Sequence, residues 1–327
     1  MNKTKFAIGC LVQWYEVDII GEYIETLKEA IKEYDGDVIV DFYIVQNQQL
    51  EQCISQKKLY QCVDSIKYTI NSINTPFAAR GNFIKVINSL YTIADYRREF
   101  NDRYCEKVDV LVWGESDMLV PKQMFTVLDV LHQSYGQQTP KYLATFGICK
   151  MWDDTWKPLE HVDFTNKQHS DSPDDWWGVN HVMNKQEMSE FNDNVEELQV
   201  TTIIPHKYNG CGLVISSEVV KSGVNIPRSC FFVHEDTAFM MVAQKVLGSI
   251  PQYHFKNILL VHNRKHPEKR NYIEGEAGNT IGEKRKSNDW YQTANKMCEQ
   301  NVYRVFDSKY KPYTWDDVWR QIQNDKG

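Results

Sequence analysis

Short apolar runs and helical stripes alternate along the first third of this chain. Lys5–Val12 is an apolar run that predicts a strand ending near Gln13-Trp14-Tyr15. Gly21–Tyr34 sets Ile24, Leu27, Ala30 and Ile31 at helical spacing, and Asp35-Gly36-Asp37 closes that helix. Val38–Val45 predicts a second strand, ending at Gln46-Asn47. Two strands joined by one helix predict a parallel β-α-β unit. Residues 48–70 are polar and predict a helix, and Asn74-Thr75-Pro76 marks a turn. After Ala78-Ala79-Arg80-Gly81-Asn82, the residues Phe83, Val86, Ile87, Leu90 and Ile93 recur at helical spacing, which predicts a helix to about Arg98.

Val108–Trp113 is almost wholly apolar and reads as a buried strand, with Glu115 and Asp117 directly behind it. A helix from Pro121 to about His132 and a strand over Tyr142–Ile148 follow. Residues 150–200 show no periodicity before position 185. Asn209-Gly210-Cys211-Gly212 is a tight turn into a strand, Leu213–Ser216, and Glu218–Ser222 makes one helical turn. Phe231–Asp236 leads into a helix whose inner face is read as Ala238, Met241, Val242, Lys245 and Val246, ended by Gly248. Tyr253–Val261 is a last strand, followed by His262. The tail beyond Asn288, with Trp290, Tyr291, Trp315 and Trp319, predicts helices packed on the outside. The fold class expected is α/β, with a mixed, mostly parallel central sheet flanked by helices and a C-terminal helical extension.

Composition narrows the function. The 327 residues suffice for one large domain with ample core. A net charge of −7 argues against a protein that coats nucleic acid nonspecifically. Eight scattered cysteines without a Cys-x-x-Cys pair suit buried thiols in a reducing compartment. No apolar run approaches the ~20 residues of a membrane helix, and Met1–Leu11 lacks a cleavage site behind it, so a soluble cytoplasmic protein is expected. Residues 150–200 carry twelve acids against four lysines, a local −8, together with Trp152, Trp156, Trp176 and Trp177. So long an irregular segment is a functional insertion or lid, or else a plain surface excursion anchored by its tryptophans.

Three polar constellations stand at predicted element edges. Glu115 and Asp117 end a strand, where ligands sit in open α/β sheets and where two carboxylates can converge on a hard divalent cation. The plain alternative is a solvated acidic turn. Glu235-Asp236 opens a helix, where a carboxylate is also an ordinary cap. His262, with Arg264, Lys265 and His266, follows the last strand. Together they suit group transfer from a nucleotide-activated donor: a cation neutralises the leaving diphosphate and a carboxylate takes the proton of the attacking hydroxyl.

The order of these pieces resembles the GT-A glycosyltransferases over roughly residues 5–265. In that superfamily an Ala-Arg-Asn-like helix opening precedes a strand carrying an acidic DxD motif. These features are similar to Ala78-Ala79-Arg80-Gly81-Asn82 and to Glu115-Ser116-Asp117, with Glu in place of the first Asp. A Gly-rich strand and a Glu-Asp helix opening resemble Gly210–Ser217 and His234-Glu235-Asp236. The resemblance implies Mn²⁺ or Mg²⁺ held by Asp117, Glu115 and His262, and a nucleotide-sugar donor, with a UDP-sugar favoured. It implies Gln46 and Asn47 near the nucleobase, and Arg80 and Asn82 near the diphosphate, with Glu115 reaching the ribose or a metal-bound water. It implies Asp236, beside Glu235, as base in an inverting enzyme. On this reading residues 1–265 form the catalytic domain, with 150–208 as acceptor-side insertion or lid, and 266–327 a basic loop and helical extension.

For the acceptor, composition and the missing anchor resemble bacteriophage enzymes that glycosylate 5-hydroxymethylcytosine in double-stranded DNA, which would place the chain in the host cytoplasm. The +4 balance of residues 256–286 would face phosphates, and Trp176 and Trp177 an extruded base. A surface glycan is the rival acceptor. A sugar nucleotidyltransferase is a different reaction class, disfavoured by Gln13-Trp14-Tyr15-Glu16 where a Gly-rich loop belongs. A catalytically silent carbohydrate- or nucleic-acid-binding protein is the third.

Overall fold

The structure is a computed structural model that describes residues 2–13, 16, 20–47, 56–71, 77–84, 90–151, 178–179, 185–203, 210–263 and 289–325. Among these, β1 (Phe6–Gln13), α1 (Gly21–Glu33) and β2 (Val38–Asn47) form the expected unit, with β1 and β2 paired in parallel from Phe6↔Val38 to Gln13↔Val45. Then come α2 (Gln56–Asn71), β3 (Phe77–Ile84), α3 (Ile93–Tyr104), β4 (Val110–Trp113), β5 (Met118–Leu119) and α4 (Met124–Leu131), which runs on into a π-helical turn, His132–Gly136. β6 (Leu143–Met151), β7 (Gly178–Val179), α5 (Lys185–Asp193), β8 (Val200–Ile203), β9 (Val214–Ser216) and α6 (Ser217–Lys221) follow. α7 (Glu235–Leu247), β10 (Gln252–Asn263), α8 (Asp289–Arg304) and α9 (Trp315–Asp325) complete the described chain.

The strands build a ten-stranded sheet in the order β3-β2-β1-β4-β9-β6-β10-β5, with β7 on β6 and β8 on β10. β9 runs antiparallel to both its neighbours, and β5 and β8 run antiparallel to β10; all other pairings are parallel. The mixed, mostly parallel sheet is therefore as expected. Its central strands are apolar without alternation because both faces are covered. Along β1, Phe6, Ile8, Cys10 and Val12 join the core under α1, α2 and α4, while Ala7 and Leu11 join the core under α3 and α7. Trp113 on β4 belongs to this second core and meets Phe239 of α7 edge-on, ring centroids 5.1 Å apart.

β5 and β8 lie end to end along one edge of β10, on either side of a register shift between Phe255 and Leu259. The gap is filled by a side chain. Asn192 of α5 donates to the Leu259 carbonyl at 2.9 Å and accepts from its N–H at 2.8 Å, replacing a strand partner. The tail forms a separate aromatic core in which Phe231 and Phe232 pack against Trp290, Trp315 and Val318.

Two expectations are corrected, and one strand is added. The segment Ala78–Asn82 does not open a helix. It lies within β3, paired in parallel with β2 so that Arg80 faces Tyr43 and Asn82 faces Val45 in register. Gly81 is a poor helix residue, and α3 opens at Ile93 behind a capping box of Thr92 and Asp95; Val86 and Ile87 of the expected helical stripe lie outside the described residues. The inner face of α7 is also rotated from the expected one: Ala238, Phe239, Met240 and Ala243 are buried, while Lys245 and Val246 are exposed. Near the end of the expected 150–208 insertion, β8 is an additional strand that the sequence reading did not place, at the edge of β10. The tryptophans 152, 156, 176 and 177, and the basic residues from 264 to 286, lie outside the described residues.

Candidate active site

Parallel strands point their carboxyl ends to one edge, and the expected polar residues collect there. β4 ends at Trp113 and Gly114 bends the chain away, its N–H donating to the Gly9 carbonyl at 2.8 Å. A Cβ at this position would overlap the Tyr23 hydroxyl. Glu115, Ser116 and Asp117 then turn, with the Met118 N–H donating to the Glu115 carbonyl at 3.0 Å. β5 docks on β10 with Met118 opposite His262, and this pairing brings Asp117 to the histidine. His262 Nε2 lies 3.2 Å from Glu115 Oε2 and 3.4 Å from Asp117 Oδ2.

Arg97, which the sequence reading passed over, organises the other side. Its side chain is 3% exposed and stacks on Trp113 at 4.7 Å from the ring centroid. Nη2 donates to Glu115 Oε1 at 2.9 Å and to the Gly210 carbonyl at 3.1 Å, and Nη1 donates to Glu235 Oε1 at 2.5 Å. Trp113 is itself fixed by its Nε1–H donating to Asn101 Oδ1 at 2.9 Å. One guanidinium thus ties the β4–β5 turn to the start of α7. A Cβ at Gly210 would stand 2.6 Å from Arg97 Nη1, so the close approach requires glycine there. The signal for Arg97 was a charged residue on the inward stripe of α3, with Tyr96, Phe100 and Tyr104.

The two acids held by Arg97 titrate in opposite directions. Burial pushes the Glu115 carboxyl up, but the hydrogen bond and charge of His262, with the charge of Arg97, pull it down to about 2. Burial dominates at Glu235 and, with Asp236 adjacent, raises it to about 7 against the pull of Arg97. Burial disfavours the Arg97 charge, yet Glu235 and Glu115 hold it above the usual arginine value. His234, before α7, adopts the left-handed conformation at φ 65°, a strained backbone for a residue with a Cβ. Asp236 is half-buried. The Thr237 N–H donates to its Oδ1 at 2.7 Å, and its Oδ2 faces Gly210.

The donor set fits a divalent cation. His262 Nε2 stands at the separation of neighbouring ligands from each of the two carboxylates, and oxygen with imidazole suits manganese or magnesium; among the described residues, those whose ligand atoms all lie within 4.8 Å of one another are Glu115, Cys211 and His262. The Tyr23 hydroxyl beside Gly114 is buried and without a hydrogen bond among the described residues. Burial first, then Cys10, Cys211 and Glu115, push its phenol well above the ordinary tyrosine value. Cys211 was read only as part of a turn. Its Sγ lies within 4.8 Å of ligand atoms of Glu115 and His262.

Of the remaining sequence candidates, Gln46 and Asn47 end β2 at this same edge, and Arg80 and Asn82 lie inside β3 beside it. Among the described residues, no helix is long and apolar enough to cross a membrane.

No family model matches the chain, and no curated protein matches it. Among solved structures the chain is similar to residues 1–349 of Staphylococcus aureus TarS, at 12% identity, 93% of this chain, 73% of that one and a TM-score of 0.46. It is similar to GalNAc-T7 with UDP, GalNAc and Mn²⁺, at 9% identity, 98% and 55% coverage and a TM-score of 0.45. It is similar also to glucosyl-3-phosphoglycerate synthase from Mycobacterium tuberculosis with Mg²⁺ and UDP, at 9%, 86% and 78%, TM-score 0.41. Identities and TM-scores this low transfer the role of no residue.

Proposed function

We propose that this chain is a metal-dependent glycosyltransferase that moves a sugar from a nucleotide-sugar donor, a UDP-sugar by preference, to an acceptor hydroxyl. The observation that carries this reading is the meeting of Glu115, Asp117 and His262 at the carboxyl edge of a mostly parallel sheet, with Asp236 across Arg97. Asp117, Glu115 and His262 would hold Mn²⁺ or Mg²⁺, which when bound neutralises the charge of the leaving diphosphate. Arg97 donates to Glu115 and fixes its carboxylate. Asp236, positioned by Thr237, takes the proton of the acceptor hydroxyl in an inverting reaction, and Glu235 anchors the turn it sits on. Gln46 and Asn47 are assigned to the nucleobase, and Arg80 and Asn82 to the diphosphate, reached from β3 rather than from a helix N-terminus. Residues 1–265 are assigned to catalysis, with 150–208 as lid, and 266–327 to an extension.

The test is thermal shift with UDP-, GDP-, TDP- and CMP-sugars, with and without Mn²⁺, since a ligand of the folded state raises the melting temperature by mass action. One nucleotide whose shift needs the metal and vanishes in Asp117→Ala supports the reading. Shifts with none of them favour a silent binding protein. Pyrophosphate release from a sugar phosphate and a nucleoside triphosphate favours a nucleotidyltransferase.

For the acceptor, we assign 5-hydroxymethylcytosine in double-stranded DNA ahead of a surface glycan, on the basic balance of residues 256–286 and the Trp176-Trp177 pair. Labelled donor incubated with hydroxymethylated and unmodified duplexes decides it. Transfer to neither turns the search to glycans.

A further inference from the structure

The metal-site reading leaves one side chain unused. Cys211 is 4% exposed and stands between Gly210, whose carbonyl accepts from Arg97, and Gly212, whose N–H donates to the Trp113 carbonyl at 2.9 Å. Gly212 holds φ 67°, and a Cβ there would sit 2.6 Å from Leu260 Cδ1. Gly212 is thus required by its backbone and Gly210 by the close approach of Arg97, and the two carry the thiol to the site. One ligand atom each from Glu115, Cys211 and His262 lies within 4.8 Å of the others. A tetrahedral zinc shell with one sulfur has ligand-to-ligand edges of roughly 3.3–3.6 Å, so small side-chain movements suffice to close it. The His262–Glu115 edge, at 3.2 Å, is already near that value.

We propose that Cys211 is a fourth arm of the metal centre, giving it a second binding mode for thiophilic divalent cations such as Zn²⁺. In this mode Cys211 Sγ, His262 Nε2 and a Glu115 oxygen bind the ion. The thiol proton passes to the buffer as the sulfur–metal bond forms. Carboxylates alone favour Mn²⁺ and Mg²⁺ only through geometry and supply, whereas thiolate favours zinc by ligand softness. Zn²⁺ therefore displaces Mn²⁺ from this chain, and Cys211 sets the margin. The inference rests on the metal reading proposed above and adds a ligand to it.

The experiment is a titration of Co²⁺, a spectroscopic substitute for zinc, into the full-length, reduced, chelator-stripped protein. The expected result is a near-ultraviolet thiolate-to-Co²⁺ charge-transfer band in the native chain, absent in Cys211→Ser. By competition, Zn²⁺ affinity falls about 10–100-fold in that variant while Mn²⁺ affinity changes less than about threefold. Cys211→Ala gives the same reading if the serine hydroxyl upsets folding. Visible d–d bands of bound Co²⁺ without the charge-transfer band overturn the Cys211 role and leave the oxygen-and-imidazole site standing. No Co²⁺ binding at all overturns both. A charge-transfer band that persists in both variants assigns the sulfur to another cysteine and also overturns the proposal.

Discussion

The turn after β4 and the start of α7 each offer a carboxylate to one guanidinium, and they end in opposite electrostatic states. Glu115 is a quarter exposed and meets His262 as well as Arg97, so its charge is stabilised. Glu235 is more deeply buried, has Asp236 beside it, and is pushed toward neutrality. A shared arginine therefore does not define two equivalent ion pairs. What else each acid touches decides which is permanently charged and suited to a cation, and which works as a structural tie.

Removing the shared partner breaks the comparison outright. Arg97→Met leaves the buried Glu235 without its cation, while Glu115 keeps His262, and is expected to cost about 3–5 kcal/mol of stability, the usual penalty of breaking a buried pair. Urea unfolding measures it, and a loss below about 1 kcal/mol would mean that the pairs contribute little. Asp117→Ala acts on one side alone. Turnover is expected to fall by roughly a thousandfold or more with the fold retained, because the buried carboxylate lies against His262 at the site rather than in apolar packing. Steady-state transfer assays beside thermal melts check both halves.

Glu235→Gln sharpens the contrast through pH. A carboxyl raised from 4.5 to about 7 contributes stability that is fully present below the unfolded value and is lost as pH rises through about 7. The melting temperature of the glutamine variant, relative to the native chain, should therefore climb between pH 4.5 and 7 and then level off. A flat difference would show that Glu235 is ionised throughout. The smallest effect is expected at His234→Gly. Relief of the left-handed strain, offset by added chain entropy, should raise stability by no more than about 1 kcal/mol.

Much of this was legible in the sequence where local pattern and tertiary role agree. β1, α1, β2 and β4 carry apolar runs or stripes that fit their places, and Glu115, Asp117, Glu235 and His262 stand where elements end. The failures share a cause. Ala78–Asn82 takes its strand from pairing with β2, which no local spacing encodes, and the apolar spacing behind it suggested a helix instead. Arg97 was hidden because the sequence reading ended its helix at residue 98, so the inward stripe through Phe100 and Tyr104 was not followed. Cys211 looked like a turn residue because its neighbours Glu115 and His262 are distant in sequence. Contacts made by only one or two residues, such as β5 on β10, leave no period to read.

That last contact has a kinetic side. β5 is two residues long, and it joins opposite halves of the chain. Loop closure over such a separation is slow and weakly rewarded until the rest of the sheet exists. Asp117 and His262 are therefore expected to meet late in folding, after the transition state. An ion bound between them would act as a clasp, lowering the unfolding rate while leaving the folding rate nearly unchanged.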